Sequence, residues 1–283
     1  MKLPPFDYAR PSTLAEAVAL LAAHGGEAKP LAGGQSLVPM LAFRVAAPAL
    51  IVDLGKLDEL AQIQISEAGV ALGAMVRWRD ILADARLRDA HPLLVTAVEH
   101  VAHYQIRNRG TVGGSLAHAD PAAELPCIAV TCEAEIVALG KAGARSIAAA
   151  DFFLGPLSTA LKPDEIITEL RLPAWPAWRR FGFAEFSRRH GDFALAAAAV
   201  FYDRDGGKAH NTHIGVIGAA DRAVRLAGAE AVVNGNGLDD PAIVAAAEAA
   251  RAAIDPPDDI HAGSAYRRAL IGTMIERALS ASV

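Results

Sequence analysis

The chain has 283 residues, 53% of them hydrophobic, with 27 basic and 32 acidic side chains and a net charge of −5. That length supports a sizeable core in two domains, and the acidic balance, with no basic stripe to offset it, excludes a general nucleic-acid binder. The N-terminus, MKLPPFDY, lacks the apolar stretch of a secretory signal, and no run approaches the roughly 18 residues of a membrane span, so a cytoplasmic protein without a span is expected.

In chain order, Thr13-Leu14-Ala15-Glu16 is a capping box that starts a helix running to about residue 24, where Gly25-Gly26 supplies a left-handed stop. Residues 28–31 read as a short buried strand that runs into a glycine loop, Ala32-Gly33-Gly34-Gln35-Ser36. Ser36 can cap a helix over 37–43, and 49–54 reads as a further strand. A hairpin is predicted from 63–66 and 70–75, then helices over 78–85 and 92–103. A second glycine loop, Thr111-Val112-Gly113-Gly114-Ser115, follows, and Pro121 can open a helix to about residue 131. Strands are predicted over 135–139, 144–147 and 166–172, with a turn of helix at 151–153.

The run Pro173-Ala174-Trp175-Pro176-Ala177-Trp178 breaks this pattern and is expected to mark a domain boundary. Beyond it, strands over 180–187, 194–202 and 209–217 precede two helices, 239–254 and 265–279, whose apolar positions fit packing on one face of an antiparallel sheet. The two cysteines, Cys127 and Cys132, are five apart, which matches neither a Cys-x-x-Cys site nor a disulfide framework, and both are read as buried hydrophobes. An iron–sulfur cluster normally takes four thiolates, so this chain cannot hold one alone.

The two glycine loops share one pattern. Each follows an apolar segment, combines glycines that permit positive φ with a serine hydroxyl, and precedes a helix start, which suits a diphosphate held between them. Neither has the Lys of a P-loop nor the spacing of Gly-x-Gly-x-x-Gly, so a Rossmann site is disfavoured. Ser115 has no partnered histidine and acid, and its hydroxyl is read as a phosphate donor. Simpler roles are assigned to other polar residues: a hydrogen-bonded loop histidine at His118, helix-end histidines at His100 and His103, and linker packing for Trp175 and Trp178. Arg107 and Arg109 fit phosphate neutralisation or a solvated interface about equally.

Three stretches together carry a specific resemblance: residues 32–39 (AGGQSLVP), 105–121 (QIRNRGTVGGSLAHADP) and Arg189-His190-Gly191-Asp192-Phe193. Over nearly its whole length the chain resembles the FAD-binding medium subunit of molybdenum hydroxylases, the carbon monoxide dehydrogenase and xanthine dehydrogenase family. The resemblance implies an α+β fold: a two-lobed vanillyl-alcohol-oxidase (PCMH) type FAD-binding domain over 1–175, in lobes 1–56 and 57–175, then a C-terminal domain over 176–283 with helices on one face of an antiparallel sheet. It also implies FAD as cofactor, with the pyrophosphate held by Ala32, Gly33, Gly34, Gln35 and Ser36 and by Thr111, Gly113, Gly114 and Ser115. Glu124 stands where relatives place an acidic residue on the cofactor; phosphates would repel a carboxylate, so hydrogen bonding to ribityl or ring donors is expected, with Asp120 competing for that role. Asp192 would reach the isoalloxazine end from the second domain.

The implied function is electron transfer. Electrons would come from a [2Fe-2S] small subunit and pass through FAD to an external quinone, carrier or NAD, while a large molybdenum-cofactor subunit oxidises the substrate, in a dimer of heterotrimers. Two other readings stay open on the residues: a self-sufficient FAD oxidase or dehydrogenase, for which no catalytic base is identifiable, and a non-catalytic nucleotide-binding module.

Overall fold

The computed structural model describes residues 2–282. Its first part is β1 (Asp7–Ala9), α1 (Leu14–Ala23), β2 (Ala28–Leu31), α2 (Leu37–Ala42) and β3 (Leu50–Asp53). Half of the expected capping box forms: Thr13 Oγ1 accepts from the Glu16 N–H at 3.2 Å, but the Glu16 carboxylate takes the Ser12 N–H at 2.9 Å, one residue before the cap, instead of that of Thr13. Gly25 and Gly26 then end α1 with φ of 54° and 98°. The three strands pair in parallel in the order β1-β3-β2, and Ala17, Val18 and Leu21 of α1 close over Ala28, Leu50 and Val52. Ser36 is not the expected cap; it is itself in the right-handed helical region and its side chain makes no capping bond.

The second part runs β4 (Ile63–Ser66), β5 (Gly69–Gly73), α3 (Trp78–Ala83), α4 (Arg86–Ala90), α5 (Pro92–His100), α6 (Tyr104–Arg107), α7 (Val112–His118), α8 (Glu124–Thr131), β6 (Glu135–Gly140), β7 (Gly143–Ala148), α9 (Ala149–Phe152), β8 (Phe153–Gly155), β9 (Ser158–Thr159) and β10 (Ile166–Pro173). The hairpin and the later strands form an antiparallel sheet, β4-β5-β10-β6-β7, in which the late strand β10 inserts between early ones. Several expected helices are shorter than the apolar pattern suggested. The one starting at Pro92 stops at His100, because Ala102 turns into positive φ (42°) and Arg107 donates to the carbonyls of Val101 and Ala102 at 2.9 Å each. The helix expected from Pro121 begins at Glu124, because the Asp120 carboxylate takes the Ala122 N–H at 2.8 Å and holds 120–122 as a turn.

The third part comprises β11 (Arg179–Phe186), β12 (Ala196–Asp205), β13 (Lys208–Ile217), β14 (Val224–Arg225), α10 (Ala227–Val233), α11 (Asp240–Ala253) and α12 (Ser264–Ala281). The strands form an antiparallel sheet in that order, with Gly206 and Gly207 at φ of 55° and 79° closing the β12–β13 hairpin. β12 is buried on both sides. Ala196, Ala198, Val200 and Tyr202 face α10, α11 and α12, while Ala197, Ala199 and Phe201 face a core that includes α5 and α8 of the second part. The helices of this part therefore do lie on one face, and the opposite face is sealed by the second part of the chain. At that seam Trp175 packs between His91 and Phe201, with centroids at 4.7 and 5.5 Å, and the Arg179 guanidinium lies 4.2 Å over the Phe201 ring. Trp175 packs the linker as expected, whereas Trp178 is 61% exposed.

Candidate functional site: a cavity where the three parts meet

A cavity of about 1570 Å³ opens where these parts converge. It exceeds the roughly 300–1,000 Å³ of ordinary small-molecule pockets, as an extended dinucleotide requires. Every residue expected to bind the cofactor lines it: Ala32, Gly33, Gly34, Gln35, Ser36, Thr111, Gly113, Gly114, Ser115, Asp120, Glu124 and Asp192.

The first loop leaves the end of β2 and turns at Gly34, φ 74°, with Gln35 Nε2 donating to the Gly33 carbonyl at 3.2 Å. Among the described residues the N–H groups of Gly33, Gly34, Gln35 and Ser36 meet no protein acceptor, so this loop presents a run of donors. Its position is set by the second loop's approach segment. A Cβ on Gly33 would stand 2.1 Å from the Arg109 carbonyl oxygen and 3.0 Å from Gly110 Cα, so only glycine lets the two backbones touch.

The second loop is built differently from the expectation. Gly113, Gly114 and Ser115 are not a positive-φ loop but part of the first turns of α7, with Thr111 as N-cap. Its N–H groups are occupied: Val112 donates to the Val76 carbonyl at 2.9 Å, Gly113 to Ala74 at 2.8 Å, Gly114 to Thr111 Oγ1 at 3.1 Å and Ser115 to the Thr111 carbonyl at 3.0 Å. Positive-φ glycines here are therefore a mistaken expectation. What the glycines provide is proximity, since a Cβ on Gly113 would fall 2.6 Å from Ala74 Cβ, and one on Gly114 would fall 2.8 Å from Thr111 Oγ1. Arg107 holds the carbonyls of Val101 and Ala102, and Arg109 lines a smaller hollow together with Gly33, Gly34 and Gln35 of the first loop.

Further along the cavity, Asp120 Oδ2 sits 4.0 Å from His118 Nε2, while its Oδ1 holds the turn. Glu124 opens α8 and is buried, 8% exposed. Burial, reinforced by the nearby Asp120 charge, pushes its carboxyl up to about 7. From the third part, the turn carrying Asp192 reaches the cavity because Gly191, φ 88°, lets its backbone lie against the His103 ring; a Cβ there would be 2.3 Å from Nδ1. Phe193, beside it, is 66% exposed and also lines the cavity.

Two cavity-lining residues, Trp78 and Arg267, and one acid with a buried carboxyl oxygen, Glu185, escaped the sequence reading. Trp78 lines the cavity and backs Gly110, where a Cβ would lie 2.6 Å from Trp78 Nε1. Arg267 is buried in the wall and donates to the Leu195 carbonyl at 2.8 Å and to Asp259 at 2.7 Å. Glu185, on β11, has a buried Oε2 without a hydrogen-bond partner, and burial together with Glu124 raises its carboxyl to about 8. The one signal for Arg267 was a cation within an apolar helix, and for Glu185 an acid among strand aromatics. Neither pattern alone points to a cavity.

Known proteins place this architecture. Residues 4–175 match the family described as FAD binding domain in molybdopterin dehydrogenase, and 181–282 match the CO dehydrogenase flavoprotein C-terminal domain. The chain is 40% identical over 281 residues to the 6-hydroxypseudooxynicotine dehydrogenase complex subunit alpha of Paenarthrobacter nicotinovorans, covering 99% of this chain and 95% of that one. It is 36% identical to the carbon monoxide dehydrogenase medium chain of Hydrogenophaga pseudoflava, covering 99% and 97%. Among solved structures, carbon monoxide dehydrogenase from Hydrogenophaga pseudoflava superposes with a TM-score of 0.97 at 37% identity, covering 100% of this chain and 98% of that one. Quinoline 2-oxidoreductase from Pseudomonas putida 86 superposes with a TM-score of 0.95 at 36% identity, with coverage of 100% and 98%. With its α+β fold and both family regions in place, the chain belongs to the FAD-binding medium-subunit family of molybdenum hydroxylases and is an FAD-dependent oxidoreductase subunit of the CO and xanthine dehydrogenase type.

Proposed function

We propose that this chain is the electron-transfer subunit of a heteromeric molybdenum hydroxylase, in which a [2Fe-2S] small subunit supplies electrons, a large molybdenum-cofactor subunit oxidises the substrate, and an external quinone, carrier or NAD receives the electrons. FAD, when bound, supplies the redox chemistry and the step between one-electron and two-electron partners. The observation that carries the site assignment is the run of unpartnered N–H groups from Gly33 to Ser36, locked by the Gly33 contact onto the backbone beside the second loop. These amides and the Ser115 hydroxyl are the donors for the pyrophosphate, and Thr111, Gly113 and Gly114 shape the opposing wall. Asp120, Glu124 and Asp192 line the stretch beyond it, toward the ribityl chain and the ring. Residues 1–175 then form the FAD-binding domain, in lobes 1–56 and 57–175, and residues 176–283 the C-terminal domain that covers one side of the cavity.

The chain's thiols support a cluster held elsewhere. Cys127 and Cys132 are buried and unpaired, and burial pushes the Cys127 thiol up to about 12 and the Cys132 thiol higher, so neither is a thiolate ready to ligate iron. No described helix is long and apolar enough to cross a membrane. Purification of the tagged full chain from its native host tests the whole reading: a yellow protein with FAD absorbance, co-purifying in equal amounts with a molybdenum-cofactor subunit and an iron–sulfur subunit as a dimer of heterotrimers, is expected. A colourless chain with no affinity for FAD would refute the site, and an isolated flavoprotein that oxidises a small substrate without partners would refute the subunit role.

A further inference from the structure

A buried guanidinium is costly unless its donors are matched, and the groups that match it are fixed in return. Arg267, in the first turn of α12, is 6% exposed and lines the cavity. Its Nη1 donates to the carbonyls of Leu195 at 2.8 Å and Gly218 at 3.3 Å, and its Nη2 donates to Asp259 Oδ2 at 2.7 Å. These acceptors stand on three segments: the residue before β12, the residue after β13, and the loop joining α11 to α12.

Each segment carries a different stretch of the cavity wall. The chain leaves the sheet after Phe186 and returns at Leu195, whose N–H donates back to the Phe186 carbonyl at 2.8 Å, so Leu195 is one root of the turn that bears Asp192 and Phe193. Gly218, φ 71°, donates its N–H to the Pro121 carbonyl at 3.1 Å, which ties the same guanidinium to the Asp120–Glu124 stretch of the second part. A Cβ on Gly218 would stand 2.4 Å from the Leu195 carbonyl oxygen, so only glycine lets these two backbones lie side by side under Nη1. Asp259 Oδ1 takes the N–H groups of His261 and Ala262 at 2.8 and 2.9 Å and folds the loop from which Pro256, Pro257 and His261 line the cavity. The His261 carbonyl then accepts from Arg188 at 2.6 Å, near the other root of the Asp192 turn. That turn is thus pinned at both ends to α12 and the loop before it.

Resting on the FAD reading of the cavity, we propose that Arg267 is a positioning residue for the flavin half of the cofactor: its guanidinium sets the spacing between the Asp192–Phe193 turn and the Asp120–Glu124 stretch, and so the shape of the cavity beyond the diphosphate loops. A planar fork can serve three oxygens in two directions at once. A lysine ammonium is a single point donor, and a methionine leaves two carbonyls and a carboxylate unpaired. Among the described residues no hydrogen bond joins the first glycine loop or α7 to Arg267, Asp259, Leu195 or Gly218. Loss of Arg267 therefore loosens the hold on the flavin half of FAD and spares the adenosine diphosphate half. The last helix of the chain, far in sequence from both glycine loops, becomes a determinant of FAD affinity.

The test titrates the full chain with FAD and, separately, with ADP, each followed by calorimetry. Arg267→Met is expected to lose about tenfold or more in FAD affinity while its ADP affinity stays within about twofold of wild type. Arg267→Lys, which keeps the charge and one donor and covers the case that methionine unfolds the chain, is expected to show the same split with a smaller FAD loss. A merely structural part for Arg267 would lower both affinities together, in step with Tm. Equal losses for the two probes, or an FAD affinity unchanged in the variants, overturns the proposal and leaves the FAD site standing. FAD uptake without ADP binding to wild type also overturns it, because the two halves of the cofactor would then not be held separately. A chain and variants that take up neither probe take the FAD reading down as well.

Discussion

The two glycine loops look alike in sequence and work in different ways. Ala32–Ser36 is a true loop, with Gly34 in the left-handed region and a run of amides free to meet a ligand, whereas Val112–Ser115 is the start of a helix whose amides are already bonded to Ala74, Val76 and Thr111. A glycine pair thus has two separate uses: backbone angles that other residues avoid, and the absence of a Cβ where two chain segments touch. In the first loop both uses apply; in the second only closeness does.

That contrast sets the order of expected effects. Gly33→Ala, whose Cβ would lie 2.1 Å from a backbone oxygen, is expected to push the loops apart and abolish FAD retention, read from flavin absorbance per chain; unchanged FAD content would refute the loop assignment. Gly114→Ala meets a side-chain hydroxyl at 2.8 Å in a helix that tolerates alanine, so it is expected to keep part of its FAD. If the two variants behaved alike, the distinction between the loops would fail. Ser115→Ala removes one donor and is expected to weaken FAD binding by about 0.5–3 kcal/mol in a titration. Thr111→Ala removes the α7 cap and is expected to lower stability by about 1 kcal/mol, seen as a lower Tm.

A further effect concerns the seam rather than the loops. The folded chain keeps the Glu185 carboxyl protonated above the ordinary carboxyl range, so the unfolded chain gives up its proton first and stability falls as pH rises toward about 8. Glu185→Gln removes that loss. In thermal melts without FAD the variant is expected to exceed wild type near pH 8 and to match it below about pH 4.5; a lower Tm near pH 8 would contradict the sign.

Local chemistry made much of this legible beforehand. The N-cap at Thr13, the stop at Gly25-Gly26, the Gly206-Gly207 hairpin and the alternating strands are decided by backbone angles and neighbouring side chains, and they fold as expected. Helix lengths around residues 92–103 and 121–131 were misjudged because carbonyls claimed by Arg107 and an amide claimed by Asp120 end those helices from outside the apolar pattern. α10 escaped notice because its seven residues carry little periodic signal, and its burial comes from the sheet it covers.

The amino-acid order alone determined the family resemblance, the glycine positions and the absence of ligands for a cluster, since these depend on residue identity and short spacing. The tertiary structure decided which amides remain free, that Gly33 touches the backbone at Arg109, and that a Glu185 carboxyl oxygen is buried without a partner. Those outcomes depend on contacts between segments far apart in the chain, where a single shift in packing changes which polar group is paired, which is buried and which is left to bind.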